Sequence, residues 1–545
     1  MNTNRKNNND FVMQAGILAA AGIICRLIGL IYRVPLANIL TDEGNGYYST
    51  AYNIYTIVLL LASYSIPSAI SKLMAGKLEQ KEYKNAQRIF YCALMYVGAV
   101  GVIASLFLFF GADLLLEGKA ALVLRAFAPT VLIYGFLGVL RGYFQAHKSM
   151  VQTSVSQIFE QILNAAVSVG AAYLFMKNFN SPEFGAIGSA LGTMAGVVTA
   201  LLVMLWAYWI NRKGIKKRLE RDKSNVLDEY LDIFKSMLFI VTPIILSTFI
   251  YNFNITLNNN LFTKIAMSNY GMTEQQSYSI FGIYSGKAVL LSDVPVALAS
   301  AMSAALIPVV SGTFVREGRK AAGEKVDVAI QTTMLLAIPA AAGMFALAEP
   351  ILNLLFSFST PQDLQMAVIL LRMMTISIAF YSLSTVSNGI LQGIGKVNRP
   401  VINAAIALAV QTVVVVALLL GTKLSIYALP IAFIVYAALM SFLNQLAVGK
   451  ELECSIRWGQ VFVKPLISSL VMGGVAYLVY TAIYLVVPIM IVALGISVVL
   501  AVAVYGIAMI LCGGITEETL DNIPKGSMLK PIVRKFTIKR RKRLL

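Results

Sequence analysis

The chain has 545 residues, of which 58% are hydrophobic and only 13% charged, and its net charge is +18. Mean hydropathy is +0.75. A soluble domain carries about 25% charged residues, so a soluble globular protein is excluded. The cationic excess is assigned to cytoplasmic loops and anionic lipid headgroups, not to nucleic acid.

In chain order, a polar N-terminus (1–10) leads into an apolar run too long for a signal-peptide core. Fourteen membrane spans are predicted. The first six lie near 11–32, 47–70, 88–112, 120–143, 151–176 and 184–210. The next six lie near 234–258, 277–302, 328–350, 365–392, 400–420 and 426–448, and a last hairpin covers 462–486 and 488–512. Each run of about 20 apolar residues is long enough to cross a hydrocarbon core of about 30 Å. The fold class expected is an all-α polytopic membrane protein.

An internal repeat organises these spans. Leu124, Arg125, Tyr134, Gly142 and Gln145 recur at the same spacing as Leu371, Arg372, Tyr381, Gly389 and Gln392. Fainter echoes pair the segment around Pro67 with that around Pro308, and Gly46, Tyr48 and Ser49 with Gly282, Tyr284 and Ser285. The repeat falls on spans 4 and 10, so the unit is six helices and both halves enter the membrane in the same direction. The organisation expected is an N-lobe (11–210), a basic linker (211–233), a C-lobe (234–448), spans 13 and 14 (449–514) and a basic tail (515–545). Lys and Arg crowd alternate loops, at 71–88, 211–235, 312–326 and the tail. By the positive-inside rule both termini face the cytoplasm, across the cytoplasmic membrane.

Signatures of enzymes are missing. The lone histidine, His147, permits no metalloprotease motif or histidine-based triad, and GIYSGKA around Lys287 is too short for a phosphate-binding loop. The four cysteines, Cys25, Cys92, Cys454 and Cys512, form no CxxC pair, so neither a disulfide framework nor a metal site is expected. The chain is expected to be neither an enzyme nor a cofactor carrier, and the sequence names no coupling ion.

Charges inside the spans remain. An Arg at a helix centre costs about 2.5–3.5 kcal/mol on insertion scales. Arg26 and Arg33 in span 1 are two helical turns apart and share a stripe. Lys287 lies in span 8, Arg125 and Arg372 near the outer ends of spans 4 and 10, and Arg141 near the inner end of span 4. The acids are Glu160, Asp293 and Glu349. Snorkelling to an interface is one account of Arg33, Arg125, Arg141 and Arg372. Buried pairing with Glu160 or Asp293 is another for Arg26 and Lys287. A cavity between the halves, lined by more cations than acids and suited to phosphate oxygens, is a third and is preferred. Span 7, with Asn252, and span 2, with Asn53, add uncharged polar groups that suit a sugar or peptide headgroup or hydrogen bonding between helices. Gly185, Gly188, Gly192 and Gly196 predict a close-packing face on span 6.

The segments CRLIGLIYRVPLANIL (25–40), LRGYFQAHKSMVQTSVSQIFEQILN (140–164) and IYSGKAVLLSDVPVALASAMSAALIPVVSG (283–312) resemble the MurJ-like branch of the multidrug/oligosaccharidyl-lipid/polysaccharide exporter superfamily. Within that branch the chain resembles the stage V sporulation protein B and YtgP-type members. The resemblance implies two lobes and alternating access. Its cargo would be lipid II, the lipid-linked peptidoglycan precursor, or a related polyprenyl-diphosphate glycolipid, carried by a monomer from inner to outer leaflet. It also implies that Arg26, Arg33 and Lys287 line the cavity, although the family's Gram-negative members space the first-helix pair six apart and carry Arg at the eighth-helix position. Export of other lipid-linked polysaccharide units and cation-coupled drug antiport are the alternatives.

Overall fold

The computed structural model describes the backbone of residues 2–514 except Ser65, Lys223, Asn225 and 453–457. Side chains at 2–16 and at several positions in 243–252 and 304–309 lie outside the described residues, as do Cys454 and the basic tail. Among the described residues the structure is helical throughout, without strands. The first helices are α1 (Asn2–Leu59), α2 (Ile66–Glu79), α3 (Tyr83–Phe110), α4 (Ala112–Leu115), α5 (Lys119–Ala146) and α6 (Val151–Phe179). Next come α7 (Pro182–Leu219), α8 (Tyr230–Asn269), α9 (Glu274–Ile283), α10 (Leu290–Glu317), α11 (Arg319–Ala346) and α12 (Ala348–Leu355). The last are α13 (Pro361–Gly393), α14 (Asn398–Gly421), α15 (Ala428–Leu452), α16 (Lys464–Val486) and α17 (Met490–Leu511).

Among the described residues, 12 helices are long and apolar enough to cross a membrane. The first of them, Ala20–Glu79, is 60 residues long and holds two predicted spans. The span expected at 234–258 falls in α8, whose side chains are only partly described. With these two, every predicted span has its helix, and the chain is a polytopic membrane protein.

The predicted loop between spans 1 and 2 is nearly absent. Helix continues to either side of one residue, Thr41, which adopts φ 62° and ψ 176°. That region is essentially reserved for glycine, and a residue held there costs about 1–3 kcal/mol. Asn45 compensates: its Nδ2 donates to the carbonyls of Ala37 and Thr41, both at 2.7 Å, in place of the helical N–H groups lost at the turn.

Two compact units result, Met1–Gly286 and Lys287–Leu545. The sequence placed the divide at the 211–233 linker, yet α8 and α9 pack within the first unit. The physical reason lies on α1. A Cβ on Gly46 would run into the carbonyl of Tyr278, and one on Gly282 would come within 2.9 Å of the Asp42 carbonyl carbon. Only two bare glycines let α9 seat there, and Tyr47 and Tyr278 close over the contact at 4.8 Å between ring centroids.

Within the first unit, one apolar cluster joins α2, α3, α5, α7 and α8, and another joins α1 to α5 and α9. The glycine face of α7 lies on α6, where a Cβ on Gly188 would meet the Ala171 backbone at 2.7 Å and one on Gly196 the Glu160 oxygen at 2.6 Å. In the second unit, α10, α11, α13 and α15 share a cluster, and α16 and α17 pack on the far end of α11 through Leu347, Met472, Ala476 and Ala501. The repeated glycines are contact points in both units. Gly142 faces Pro67 on α2, with 2.8 Å from a would-be Cβ to the Pro67 oxygen, and Gly389 faces Ser303 on α10.

Candidate functional site

Two of the candidate cations stand on α1. Arg26 and Arg33 sit on one uninterrupted stretch of helix, so their side chains leave it on the same stripe, about 10 Å apart. Arg26 is exposed and Arg33 half-buried. Beside Arg33 runs an aromatic wall from the second half of α1. Its guanidinium carbon is 6.0 Å from the Tyr52 ring centre, Tyr48 stacks on Tyr52 at 5.7 Å, and Tyr55 stacks on Phe127 of α5 at 4.7 Å. The negative face of an aromatic ring attracts a guanidinium. Asn53 is half-buried on the same stretch.

Behind the wall, Tyr32 accepts a 3.4 Å hydrogen bond at its hydroxyl from Asn164 of α6. Asn164 in turn accepts from Ser168 at 2.8 Å, and Ser168 also reaches the Ser189 carbonyl at 3.0 Å. This network had one sequence signal, an Asn inside an apolar run, which did not identify its partners.

Arg141 does not snorkel. It is 5% exposed, its Nε donates to Ser156 Oγ at 3.0 Å and its Nη2 to Glu160 Oε2 at 2.7 Å. A charge taken out of water must be paired and hydrogen-bonded, and this one is both. The pair joins α5 to α6 and neutralises Glu160.

Lys287 is the buried cation of the second unit, 1% exposed. It sits in a π-helical segment, Tyr284–Val289, and such segments recur at functional sites. Its ammonium donates to the Ser357 carbonyl at 2.7 Å and lies 3.8 Å from the Phe358 ring centre. Ser357 and Phe358 follow the C-terminal end of α12, where the helix dipole favours a cation. Asp293, on the next turns, is exposed.

The repeated arginines make the same backbone bond. Arg125 Nε donates to the Phe109 carbonyl at 3.2 Å, and Arg372 Nε to the Phe345 carbonyl at 3.4 Å. Arg125 is also ion-paired with Asp113. The Asn252 side chain lies outside the described residues.

The model of the polysaccharide biosynthesis protein family matches residues 11–314, and that of the MatE family matches 290–418. The lipid II flippase MurJ of Bacillus subtilis is 27% identical over 74% of this chain and 76% of its own length. Stage V sporulation protein B of the same organism is 25% identical over 81% and 84%. A solved structure of the lipid II flippase MurJ in an inward closed conformation superimposes with a TM-score of 0.64 at 15% identity, over 90% of this chain and 97% of that one.

Proposed function

The chain belongs to the polysaccharide biosynthesis protein family, as a MurJ-like member of the MOP superfamily of membrane transporters, and from that premise we propose that it is a flippase for lipid II or a closely related polyprenyl-diphosphate glycolipid. The observation that carries the reading is the Arg26/Arg33 stripe against its wall of tyrosines. A diphosphate bearing sugars and a peptide cannot enter hydrocarbon without losing hydration worth many kcal/mol. Guanidinium groups replace that hydration with charge-assisted bonds, and aromatic faces suit the sugars. Arg26, Arg33 and Lys287 are the cations proposed to receive the diphosphate, with Asn53 and Asn252 serving the uncharged headgroup. Arg141 and Glu160 neutralise each other and are assigned to the scaffold. The proposed setting is the cytoplasmic membrane, with both termini cytoplasmic, the chain acting as a monomer by alternating access.

The family description favours a second cargo of the same chemistry, another polyprenyl-diphosphate-linked polysaccharide unit. One experiment separates them: rescue of a bacterium depleted of its own lipid II flippase, with labelling of outer-leaflet lipid II. Wild-type chain restores labelling, and Arg26→Ala abolishes it at unchanged membrane level. Well-expressed chain that restores no labelling overturns lipid II as the cargo.

A further inference from the structure

Helices α1 and α6 run side by side in constant register. Asn164 bonds the Tyr32 hydroxyl across a separation of 132 positions, and Gln161 stands at the same separation from Gly29, one turn earlier. A Cβ on Gly29 would lie 3.9 Å from Gln161 Oε1, so the end of the glutamine rests over bare helix backbone. Gly29 falls on the stripe of Arg26 and Arg33, between the two. The Gln161 amide is therefore roughly 5 Å along the helix axis from the level of each arginine. We propose that Gln161 is a specificity-determining residue of this site, which reads the sugar next to the diphosphate that the arginines hold. The inference rests on the polyprenyl-diphosphate reading above.

Two anchors set α6 about this point. On one side Glu160 is held by Arg141 of α5 at 2.7 Å. On the other, Asn164 donates to Tyr32 and accepts from Ser168 at 2.8 Å. Further along, the same two helices join through an apolar contact of Tyr32, Leu36, Leu40 and Ala172. Gln157, Gln161, Asn164 and Ser168 recur at i, i+4, i+7 and i+11, so they share the α6 face turned to α1. Asn164 and Ser168 are buried and spent on hydrogen bonds. Gln161 is half-buried and, among the described residues, its amide makes none. Gln157 is likewise free, but it stands a turn further from Arg33.

The amide can do what the arginines cannot. A guanidinium only donates, and so it matches phosphate oxygens but accepts nothing from a sugar N–H or O–H. A glutamine amide offers two donors and an acceptor oxygen, the complement of the N–H and C=O of an N-acetyl group. Polar side chains inside membrane bundles commonly bond a neighbouring helix, and Gln161 does not. Its position over Gly29 leaves the amide facing the space between the two arginines, with no side chain from α1 beneath it.

The test titrates purified full-length chain in detergent with undecaprenyl diphosphate, bare or carrying one N-acetylhexosamine, and reads the occupancy of each by native mass spectrometry. Wild type is expected to hold the sugar-bearing lipid roughly tenfold more tightly, the yield of one or two net hydrogen bonds. Gln161→Met, of similar length without the amide, is expected to remove that preference and leave binding of the bare lipid unchanged. Gly29→Leu, which fills the space under the amide, is expected to do the same. Arg33→Gln is expected to weaken both lipids alike. Equal weakening of both by Gln161→Met makes the residue structural, and an unchanged preference makes it idle; either result overturns the proposal while the diphosphate reading stands. So does a wild type that binds both lipids equally. Wild type that binds neither lipid overturns the reading itself, and the proposal with it.

Discussion

Gly46 and Gly282, matched in sequence as repeat counterparts, face one another in the fold: a Cβ on Gly282 would lie 2.8 Å from the Gly46 nitrogen. No side chain fits without moving backbone. Gly282→Val is expected to cost about 1–3 kcal/mol of stability by overpacking, and to abolish rescue even where membrane insertion survives. Thermal unfolding in detergent together with the rescue assay checks both, and normal rescue at wild-type stability would sink the idea.

Thr41 invites the opposite substitution. Its backbone already has the conformation glycine favours, so Thr41→Gly relieves strain of about 1–3 kcal/mol, partly offset by greater freedom in the unfolded chain. The expected result is an equal or higher unfolding temperature, whereas Asn45→Ala, which removes two bonds to freed carbonyls, lowers it.

Lys287 separates charge from shape. Lys287→Met keeps the bulk but leaves the Ser357 carbonyl without its donor, a loss of about 1–3 kcal/mol. It is expected to eliminate transport. Lys287→Arg keeps the charge, but a planar guanidinium in a site 1% exposed must displace Phe358. Transport by the arginine variant is therefore expected to fall well below wild type; full activity would show that the snug fit around the ammonium has no functional weight.

The Arg141–Glu160 pair should behave as structure. Removing either partner strands a buried charge and costs about 3–5 kcal/mol. Arg141→Met combined with Glu160→Leu is expected to recover most of that stability and much of the transport. Failure of the double variant to recover transport despite a restored fold would assign the pair a role in moving cargo.

His147 supplies a pH dependence. It lies just beyond the end of α5, with Nδ1 2.9 Å from the Tyr143 carbonyl, and Tyr83, Tyr143 and Arg218 share its small enclosure. Burial, and after it the Arg218 charge, hold its imidazole below the ordinary value of 6.5, against the opposing pull of the Tyr143 bond. A depressed histidine favours its neutral form in the folded chain. Its contribution is intact above pH 6.5 and is lost as pH falls below that value toward the folded one. The unfolding temperature should drop between pH 7.5 and pH 5.5, and His147→Gln should remove part of that drop.

The spans were legible because a bilayer imposes a length and a polarity on each of them, and the repeat because its five residues kept their spacing. The candidate cations could be named from the sequence, but their partners could not. Arg141 and Glu160 are 19 positions apart on different helices, and Lys287 and Ser357 are 70 apart. No local pattern links either pair. Thr41 was invisible for another reason: a residue type that avoids positive φ was held there by Asn45 and by helix on both sides. The different fates of Arg125 and Arg372 were beyond reading as well, since the same acid position is present in both halves and only packing decides which arginine it reaches.

The seating of α8 and α9 in the first unit bears on how such a chain can be taken apart. The boundary left by duplication and the boundary drawn by packing do not coincide, so the two repeats have ceased to be interchangeable modules. A gene cut at the linker would yield one fragment with an empty berth against Gly46 and another carrying the unattached occupant. Neither repeat on its own would be a smaller version of the whole.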